Sequence, residues 1–425
     1  MRGDVAPAAG RGVAREEALR TLPRAAHGRD AAAHLVEGGR RHVFGAGVPR
    51  ATVEVHSERF WPALLHGSRG LAESYADGLW DSPDLPAVIR VAARNVDTLD
   101  DLRRRIAPVR GPWQRAHGIV ARNTPARSRR DIAAHYDLGN ELYELMLDPT
   151  LSYSCTVFER PDATLEEAAL AKLDLVCEKL DLGPRDHVLE IGSGWGGFAL
   201  HAAASRGCRV TTTTLSREQH AVAVRRVREA GLEDRVTVLL DDYRDLRGSY
   251  DKLVSIEMIE AVGWRDFGTL FARCSDLLRP DGAMLLQAIT IDDRAYEVEK
   301  ASRSFMRTHI FPNGCLPSLA VIARCVARHT DLRTVDLEDL TPHYAETVRR
   351  WRANVEREAD ALAALGYDER FRRMWRMYLA YCEGGFAERR IGVVQTVLAK
   401  PHWRGSVRAG VTAPPPAVSP VAAAG

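Results

Sequence analysis

Residues 187–200 read HVLEIGSGWGGFAL, an apolar run followed by a glycine-rich turn and the start of a helical pattern. The apolar run predicts a buried strand that ends near Ile191, with the carboxylate of Glu190 placed to accept a hydrogen bond. Alternate glycines then allow a sharp turn and a close approach of the backbone to a ligand: Gly192, Gly194 and Gly196. A strand, a glycine turn and a helix in this order favour a nucleotide-like ligand at the helix start.

The next predicted strand separates two kinds of ligand. A dinucleotide site expects an acidic residue about 20 positions after the turn, where it binds a ribose hydroxyl. Residues 209–215 read RVTTTTL and carry no acid. The order EIGSGWG therefore favours the first motif of an S-adenosylmethionine (SAM) methyltransferase over a nicotinamide site. Taken alone, the motif leaves open whether a nucleoside binds at all.

The composition is typical of a globular protein. The chain has 425 residues, of which 45% are hydrophobic, enough for one large domain or two ordinary ones. Its formal net charge of +2 argues against a general nucleic-acid-binding surface. The seven cysteines include no CxxC pair, which argues against a disulfide framework or a zinc site and for a reducing compartment. We find no secretory signal pattern and no apolar stretch approaching about 18 residues, and so expect a soluble, cytoplasmic protein.

An arginine-rich segment stands out against this balanced charge. Residues 103–130 contain nine arginines and no acidic residue. The segment is interpreted as a solvated connector or as a surface drawn to anionic lipid headgroups, with a nucleic-acid contact less favoured. Each arginine near an anionic membrane contributes up to about 1 kcal/mol. We therefore expect peripheral contact with the inner membrane face through Arg103 to Arg130.

Composition and pattern divide the chain into segments. We expect a disordered amino terminus over 1–34, a small α+β domain over 35–105, a basic linker over 106–130, a catalytic domain over 131–404 and a disordered tail over 405–425. No internal repeat is seen. The chemistry should therefore lie in the second, larger domain.

That larger domain alternates strand and helix patterns. Predicted strands cover 187–191, 208–215, 235–240, 251–256 and 282–289. The alternation predicts an α/β, Rossmann-like fold with a mostly parallel sheet. Ligands of such sheets bind outside the carboxyl ends of the strands, where the glycine turn, Thr214, Tyr243 and Glu260 all fall.

Separate segments resemble the cyclopropane fatty acid synthase family, whose members use SAM to methylate the double bond of an acyl chain. These segments are HYDLGNELYELMLDPTLSYSC (135–155), EIGSGWGGFA (190–199), SIEMIEAVG (255–263), IFPNGCLPS (310–318), HYAETVRRW (343–351) and YLAYCEGGF (378–386). RGLAESYADGLWDSPDL (69–85) resembles the extra domain of the phospholipid-acting members. The resemblance runs in one order from about residue 40 to 400 and implies a class I SAM methyltransferase domain with a small amino-terminal α+β domain.

The resemblance implies a SAM site along the strand ends. The residues it assigns to this site are Tyr153, Ser154, Glu190, Gly192, Gly194, Gly196, Thr214, Gln219 and Tyr243. Gln219 would take the ribose role of the missing strand-end acid; without the resemblance it is interpreted as an exposed helix residue. Thr211 and Thr212 are interpreted as ordinary β-branched strand residues.

Family members also hold a bicarbonate ion, which serves as the base that removes the final proton. The resemblance maps its pocket onto Cys155, Glu260, Gln287, Ile289 and Tyr344, with Cys382 nearby. Glu260 would accept the bicarbonate proton and orient the anion, while Tyr344 would donate its hydroxyl. The backbones of Cys155 and Ile289 would add amide donors. Cys382 taken alone is interpreted as a buried apolar cysteine, and no metal is implied.

The chemistry of an alkene makes its own demands on the site. An isolated double bond is a weak nucleophile, and its attack on a sulfonium methyl builds a carbocation that water would capture. The site must therefore be dry, tolerant of positive charge and supplied with a base. Aromatic rings near the motifs can stabilise such a cation by up to about 2 kcal/mol each: Tyr153, Phe158, Trp195, Phe311 and Tyr344.

One position departs from the family pattern. Well-known cyclopropane synthases have a histidine where this chain has Gln287, which donates a hydrogen bond but carries no charge. Together with SIEMIEAVG and HYAETVRRW, this resembles a subgroup that places a methylene or methyl branch in mid-chain. We expect a cyclopropane on an unsaturated phospholipid acyl chain, with an exocyclic methylene as the alternative.

Two further functional classes stay open. One is a small-molecule N- or O-methyltransferase on the same fold, since a fold does not determine a function. The other is a lipid-binding protein without catalysis, against which Glu260, Tyr344 and the glycine turn argue. A homodimer is compatible with each of these interpretations, and a nucleic-acid partner is not expected.

Overall fold

The computed structural model describes residues 31–95, 138–302, 304–312 and 314–407. Its contacts divide the chain into two compact units. The first comprises the described residues within 1–121, 301–310 and 355–390, and the second comprises those within 122–300, 311–354 and 391–425. The basic linker, and nearly all of the two termini predicted to be disordered, lie outside the described residues.

The strands of the two units are numbered in chain order. They are β1 (Ala31–Glu37), β2 (Arg40–Ala46), β3 (Arg50–Val55), β4 (Trp80–Asp81), β5 (His187–Ile191), β6 (Arg209–Thr213), β7 (Val236–Leu239), β8 (Tyr250–Ile256), β9 (Leu278–Ile291), β10 (Arg333–Asp339) and β11 (Ile391–Ala399). The first four form one sheet and the remaining seven form another.

The helices are numbered in the same way. They are α1 (Phe60–Leu64), α2 (Gly67–Ala76), α3 (Leu85–Arg94), α4 (Asn140–Met146), α5 (Leu165–Lys179), α6 (Gly197–Arg206), α7 (Arg217–Glu229), α8 (Ile259–Val262), α9 (Phe267–Leu277), α10 (Tyr296–Ala301), α11 (Leu319–His329), α12 (Thr341–Arg357), α13 (Ala359–Ala364) and α14 (Glu369–Ala387). A π-helical turn covers Met306–Ile310. No described helix combines the length and apolarity that a membrane span requires.

The first unit is a small sheet with helices, as its α+β pattern predicts. Its strands lie in the order β2-β1-β3-β4, and Trp61 and Trp80 are fully buried. The long helix α14 packs against α2 and α3. The side chains of Arg90 and Arg94 in α3 donate to the carboxylate of Glu388, just after α14, at 2.7 and 2.6 Å.

These contacts revise the predicted division of the chain. The sequence predicts one continuous catalytic domain over 131–404, whereas residues 301–310 and 355–390 belong to the first unit. The physical reason is that α14 buries its apolar face against helices from early in the chain. In addition, β1 begins at Ala31, inside the segment predicted to be disordered.

The sheet of the second unit confirms the predicted α/β architecture. Its order is β10-β11-β9-β8-β5-β6-β7. The pairs β5–β6, β5–β8, β6–β7 and β8–β9 are parallel. Strand β11 runs antiparallel to both β9 and β10. The carboxyl ends of β5, β6 and β8 therefore lie side by side at one edge of the sheet.

Each face of this sheet is covered by helices. Successive residues of β5 point to opposite sides: Val188 packs with α5 and α6, whereas Leu189 packs with α9 and α11. Both side chains are fully buried, and burial of each stabilises the fold by about 1.5–3 kcal/mol. Helix α5 begins at a capping box between Thr164 and Glu167. This packing fixes the strand ends that carry the candidate site.

Candidate functional site

The glycine turn adopts the geometry that its sequence predicts. Gly192, Gly194 and Gly196 have φ angles of 100°, 50° and 88°, a region that other residues enter only with strain. The backbone amides of Gly192 and Ser193 donate to the carbonyl of Thr213, at the end of β6, at 3.0 and 2.9 Å. The turn is therefore held against the neighbouring strand before helix α6 begins.

The turn is also packed closely on its surroundings. A Cβ atom added at Gly192 would lie 3.2 Å from the side chain of Met258, just after β8. One added at Gly197 would lie 2.7 Å from the carbonyl oxygen of Thr150. The lack of a side chain at both positions thus brings three segments together around the start of α6.

Glu190 finds its hydrogen-bond donor within the sheet. Its side chain is 2% exposed, and the hydroxyl of Thr212 donates to it at 2.6 Å. Burial raises the pKa of Glu190 to about 8, against the opposing effects of Thr212 and of Lys172. Glu190 is therefore protonated at neutral pH. Thr212 is more than the plain strand residue that the sequence suggests.

Thr214 and Gln219 meet at the end of β6. The hydroxyl of Thr214 donates to the side-chain carbonyl of Gln219 at 2.8 Å. Ser216 caps helix α7 and accepts from the backbone amide of Gln219. Gln219 is buried, so the alternative interpretation of an exposed helix residue is wrong.

Tyr243 contributes an unsatisfied polar atom at the same edge. Its hydroxyl is inaccessible and has no hydrogen-bond partner among the described residues. The guanidinium of Arg244 lies over its ring at 5.3 Å, and burial raises the pKa of its hydroxyl. Buried donors without partners are rare in folded proteins. Together with the glycine turn and Gln219, this hydroxyl fits a ligand that contains a nucleoside.

An aromatic row runs beside the turn. The ring of Tyr153 lies 5.3 Å from those of Tyr143 and Trp351. Tyr143 in turn lies 4.8 Å from Trp195, and Trp351 lies 5.9 Å from Tyr344. The row links the glycine turn to helix α12 and supplies a low-dielectric wall of π-systems.

Phe158 does not join this row. It is fully buried with Ala163 and Ala168, and the guanidinium of Arg350 lies over its ring at 4.8 Å. The ring therefore already faces a cation of the chain itself. We assign Phe158 to the core rather than to the predicted set of cation-stabilising rings.

A carboxylate cluster lies where β8 ends, and its centre is a residue that the sequence analysis did not assign. Glu257 accepts hydrogen bonds from the backbone amide of Cys155 at 2.8 Å and from the side-chain amide of Gln287 at 2.7 Å. Its other oxygen accepts from the hydroxyl of Tyr344 at 2.5 Å. Three of the donors predicted to hold bicarbonate thus bind the Glu257 carboxylate. We use the name carboxylate cluster for Glu257, Glu260 and their donors.

The backbone at Glu257 is strained. Its φ angle is 49°, a left-handed conformation that costs a residue other than glycine on the order of 1–3 kcal/mol and is concentrated at functional sites. Its backbone amide donates to the carbonyl of Gln287 at 2.8 Å. The strain turns the carboxylate towards the three donors.

Glu260 is the second acid of the cluster. It lies in the short helix α8 and accepts from the backbone amide of Ile289 at 2.5 Å. Its other oxygen is inaccessible and has no partner among the described residues. Burial, followed by the charge of Glu257, raises the pKa of Glu260 to about 8. At neutral pH Glu260 therefore carries a proton.

The charge of the cluster is balanced from helix α5. Lys172 is buried and donates to the hydroxyl of Ser154 at 3.0 Å. Burial lowers its pKa, whereas the attraction of Glu257 is the largest effect that opposes the fall. Burial also raises the pKa of Glu257, and the donation from Tyr344 is the largest effect that opposes this rise. The attraction between Glu257 and Lys172 thus opposes the effect of burial on both pKa values.

The remaining predicted residues take different positions. Gln287 is fully buried and also accepts from Gln395 at 2.9 Å, which fixes its amide orientation. Burial raises the pKa of the Cys155 thiol well above its ordinary value, so the thiol stays protonated, and the backbone amide is the group of Cys155 that binds Glu257. Cys382 lies in α14 of the first unit. Its predicted role stays a prediction.

Glu257 and Lys172 are the residues of the candidate site that sequence reasoning did not assign. The signal for Glu257 was present, because SIEMIEAVG carries two acids three positions apart. Lys172 gave a weaker signal, as a lysine among the apolar positions of an amphipathic helix. Within the ranges described, no cluster of His, Cys, Asp and Glu side chains has the geometry of a metal site.

Comparisons with known proteins identify relatives of this chain. Residues 123–396 match the family model described as mycolic acid cyclopropane synthetase. The chain is 41% identical over 346 residues to a tuberculostearic acid methyltransferase of Mycobacterium tuberculosis, covering 79% of each protein. It is 37% identical over 365 residues to the cyclopropane-fatty-acyl-phospholipid synthase of Escherichia coli, covering 82% of this chain and 88% of the relative.

Solved structures also resemble this chain. A mycolic acid cyclopropane synthase complexed with SAH and CTAB superposes with a TM-score of 0.60 at 32% identity. The alignment covers 64% of this chain and 98% of that one. A coclaurine N-methyltransferase bound to SAH, at 22% identity and a TM-score of 0.57, shares the fold alone.

Proposed function

The chain belongs to the mycolic acid cyclopropane synthetase family, and on this premise we propose that it transfers the methyl group of SAM to the double bond of an unsaturated phospholipid acyl chain. It is a SAM-dependent methyltransferase of the class I fold. SAM supplies an electrophilic methyl group on a sulfonium. What we propose beyond this is the substrate, an unsaturated acyl chain, and the product formed from it.

One observation carries the proposal, namely the position of the carboxylate cluster beside the glycine turn. Met258 packs against Gly192 of the turn and stands directly after Glu257 in the chain. A base is thus held next to the place where the turn would bind the methyl donor. An ordinary N- or O-methyltransferase acts on a nucleophile with a lone pair, and does not need a base that removes a proton from carbon.

The protein's own residues would bind SAM and keep the reaction dry. The turn, Gln219 and the unpaired hydroxyl of Tyr243 provide the polar contacts for the nucleoside. The rings of Tyr153 and Trp351 provide an apolar surface with π-faces, which stabilises a desolvated cation by up to about 2 kcal/mol per ring. Exclusion of water from this surface protects the cation from capture.

Two products follow from the same cation on the acyl chain. Loss of a proton from the added methyl group with ring closure gives the cyclopropane. A hydride shift from the methylated carbon to the cationic carbon, followed by loss of a proton from the added methyl group, gives an exocyclic methylene. The cyclopropane is the product predicted first from the sequence. Gln287 and the relative that is named as a tuberculostearic acid methyltransferase favour the methylene.

Methyl transfer to lipid tests the proposal directly. We expect the purified enzyme to move labelled methyl carbon from SAM into vesicles of oleoyl phospholipid and to leave matched stearoyl vesicles unlabelled. Ozonolysis of the product then separates the outcomes, because an exocyclic methylene gives a ketone and a cyclopropane resists cleavage. Label in neither vesicle, with SAM still bound, would overturn the lipid assignment.

Membrane contact is proposed separately. The support is the excess of arginine over residues 103–130, which lies outside the described residues. We expect the enzyme to co-sediment with anionic vesicles at low salt and to be released as salt rises, because screening shortens the reach of these charges. Binding that does not change with salt would contradict a charge-driven contact. The peripheral location at the inner membrane face and a homodimer stay predictions.

A further inference from the structure

The donors predicted to bind bicarbonate are already bound to acids of the chain itself. Cys155, Gln287 and Tyr344 all donate to Glu257, and the amide of Ile289 donates to Glu260. A bicarbonate ion in the same frame would need these donors and would meet the negative charge of Glu257. The residues present therefore do not fit a bound bicarbonate.

The position of Glu257 fits the requirements for a base better than it fits those of a purely structural residue. A carboxylate has the same planar pair of oxygens that bicarbonate would present to these donors. Both oxygens of Glu257 are used, one by the two amides and the other by Tyr344. A purely structural carboxylate would not require a residue with a φ angle of 49°, which glycine would adopt without strain.

We propose that Glu257 is the catalytic base of this enzyme and that its carboxylate replaces the bicarbonate ion of the family. The inference rests on the proposed function, since a base is needed only if a carbocation forms on the substrate. Glu260 then acts as a positioning residue, which holds the backbone of Ile289 beside the base. Lys172 balances the charge of Glu257 from helix α5.

The proposed step balances in atoms and electrons. The π-electrons of the double bond form a carbon–carbon bond to the methyl group as the methyl–sulfur bond breaks, and the other alkene carbon becomes cationic. An oxygen of Glu257 then takes one proton from the added methyl group. The released electron pair closes the ring or, where a hydride has first moved from the methylated carbon to the cationic carbon, forms the exocyclic double bond. Glu257 ends the cycle protonated and returns the proton to water as the products leave.

A set of variants at one position tests the proposal. Glu257→Gln keeps the size and loses the base, and we expect kcat to fall by about a hundred- to ten-thousand-fold. Glu257→Gly suits the backbone conformation and removes the carboxylate, so that the three donors are left without their acceptor. In buffer depleted of carbon dioxide its turnover should be equally low, and added bicarbonate or formate should restore it in a saturable way. Glu233→Gln, at an exposed acid, is the matched control and should keep the activity of the unchanged enzyme.

A binding measurement separates this inference from the proposed function. Isotopically labelled bicarbonate, followed by NMR in the presence of S-adenosylhomocysteine, should bind to Glu257→Gly and not to the unchanged enzyme or to Glu257→Gln. This readout does not depend on which substrate is methylated. If no lipid is labelled but this pattern of binding appears, the substrate proposal fails and Glu257 still occupies the anion site.

Two results would overturn the inference. One is bicarbonate binding by the unchanged enzyme, which would show that the ion and Glu257 are present together. The other is a Glu257→Gly or Glu257→Gln enzyme that folds, binds SAM and turns over at the full rate without an added anion. Thermal unfolding and SAM calorimetry on the same preparations identify a variant that has failed to fold, in which case the binding result for the unchanged enzyme decides.

Discussion

The glycine turn and the carboxylate cluster lie at the ends of the neighbouring strands β5 and β8, yet they are built in opposite ways. The turn is one continuous segment held by backbone geometry, with three glycines at positive φ. The cluster gathers side chains from distant segments, since Cys155 lies 102 residues before Glu257 and Tyr344 lies 87 residues after it. Conformation therefore governs the turn, whereas charge and hydrogen bonding govern the cluster.

This difference divides the work of the enzyme. Steric freedom at the turn decides which donor is bound, because a backbone without side chains can approach a nucleoside closely. In the proposed mechanism, the acids and their donors decide what becomes of the transferred carbon. Substitutions should therefore separate cleanly, with changes at the turn affecting SAM affinity and changes at the cluster affecting the chemical step.

The largest effect expected away from Glu257 concerns stability and lies next to the turn. The pKa of Glu190 is raised from 4.5 to about 8, so the folded state holds a proton that the unfolded state has lost. The free energy of unfolding should therefore fall as pH rises from about 4.5 to about 8. Glu190→Gln should remove about 2–4 kcal/mol of this decline. Urea unfolding across that range measures it, and equal pH slopes for both proteins would contradict the raised pKa.

At the cluster, Tyr344→Phe removes the hydroxyl that donates to Glu257. A hydrogen bond to a charged group contributes about 1.5–3 kcal/mol, so we expect kcat to fall about ten- to a hundredfold with little change in SAM affinity. Because this donation lowers the pKa of Glu257, the acid limb of the pH–rate profile should move to higher pH.

A second buried tyrosine provides the control. The hydroxyl of Tyr250 donates to the carbonyl of Arg247 at 3.1 Å, away from the cluster. Tyr250→Phe should lower stability slightly and leave the pH–rate profile in place. Equal kinetic losses in the two variants would mean that Tyr344 acts only through the fold.

Two glycines of the turn form the next pair. Alanine at a positive φ angle costs about 1–2 kcal/mol, and at Gly192 the added Cβ would also press on Met258. We expect Gly192→Ala to weaken SAM binding by about tenfold or more, as measured by calorimetry. Gly194→Ala meets no atom within 4 Å and should weaken binding less. The reverse order would show that contact with Met258 does not shape the turn.

The smallest effect is expected at Glu260. Because its pKa of about 8 keeps it protonated at neutral pH, Glu260→Gln preserves both its charge and the acceptor for the amide of Ile289. We expect kcat to change by less than about tenfold at pH 7, which corresponds to the net value of one neutral hydrogen bond. A loss of kcat as large as that expected for Glu257→Gln would indicate that Glu260 is the base and that Glu257 is the positioning residue.

The same contrast explains how far the sequence could be interpreted. The strands β5 to β9 and the glycine turn follow from local pattern, whereas Thr214 and Gln219 were assigned to one site through the resemblance to the family. The resemblance also grouped Cys155, Gln287 and Tyr344 as donors to one anion, which it took to be bicarbonate. What they bind was not predicted, because sequence spacing does not reveal that the chain reverses its φ at Glu257 and turns that acid inwards.

Long-range packing accounts for the other differences. Strands β10 and β11 were not predicted from the sequence. Strand β11 lies between β9 and β10 in the sheet, although three helices separate it from β10 along the chain. The assignment of α14 to the first unit depends on contacts between Glu388 and two arginines almost 300 residues earlier. Local pattern carries no information about such pairings.

The dependence of the unchanged enzyme on bicarbonate tests the central claim most directly. Its initial rate of methyl transfer would be measured in buffer depleted of carbon dioxide and again with increasing bicarbonate at constant pH and ionic strength. If Glu257 is the base, the rate is the same throughout. A rate that is low without bicarbonate and rises to saturation with it would contradict the account.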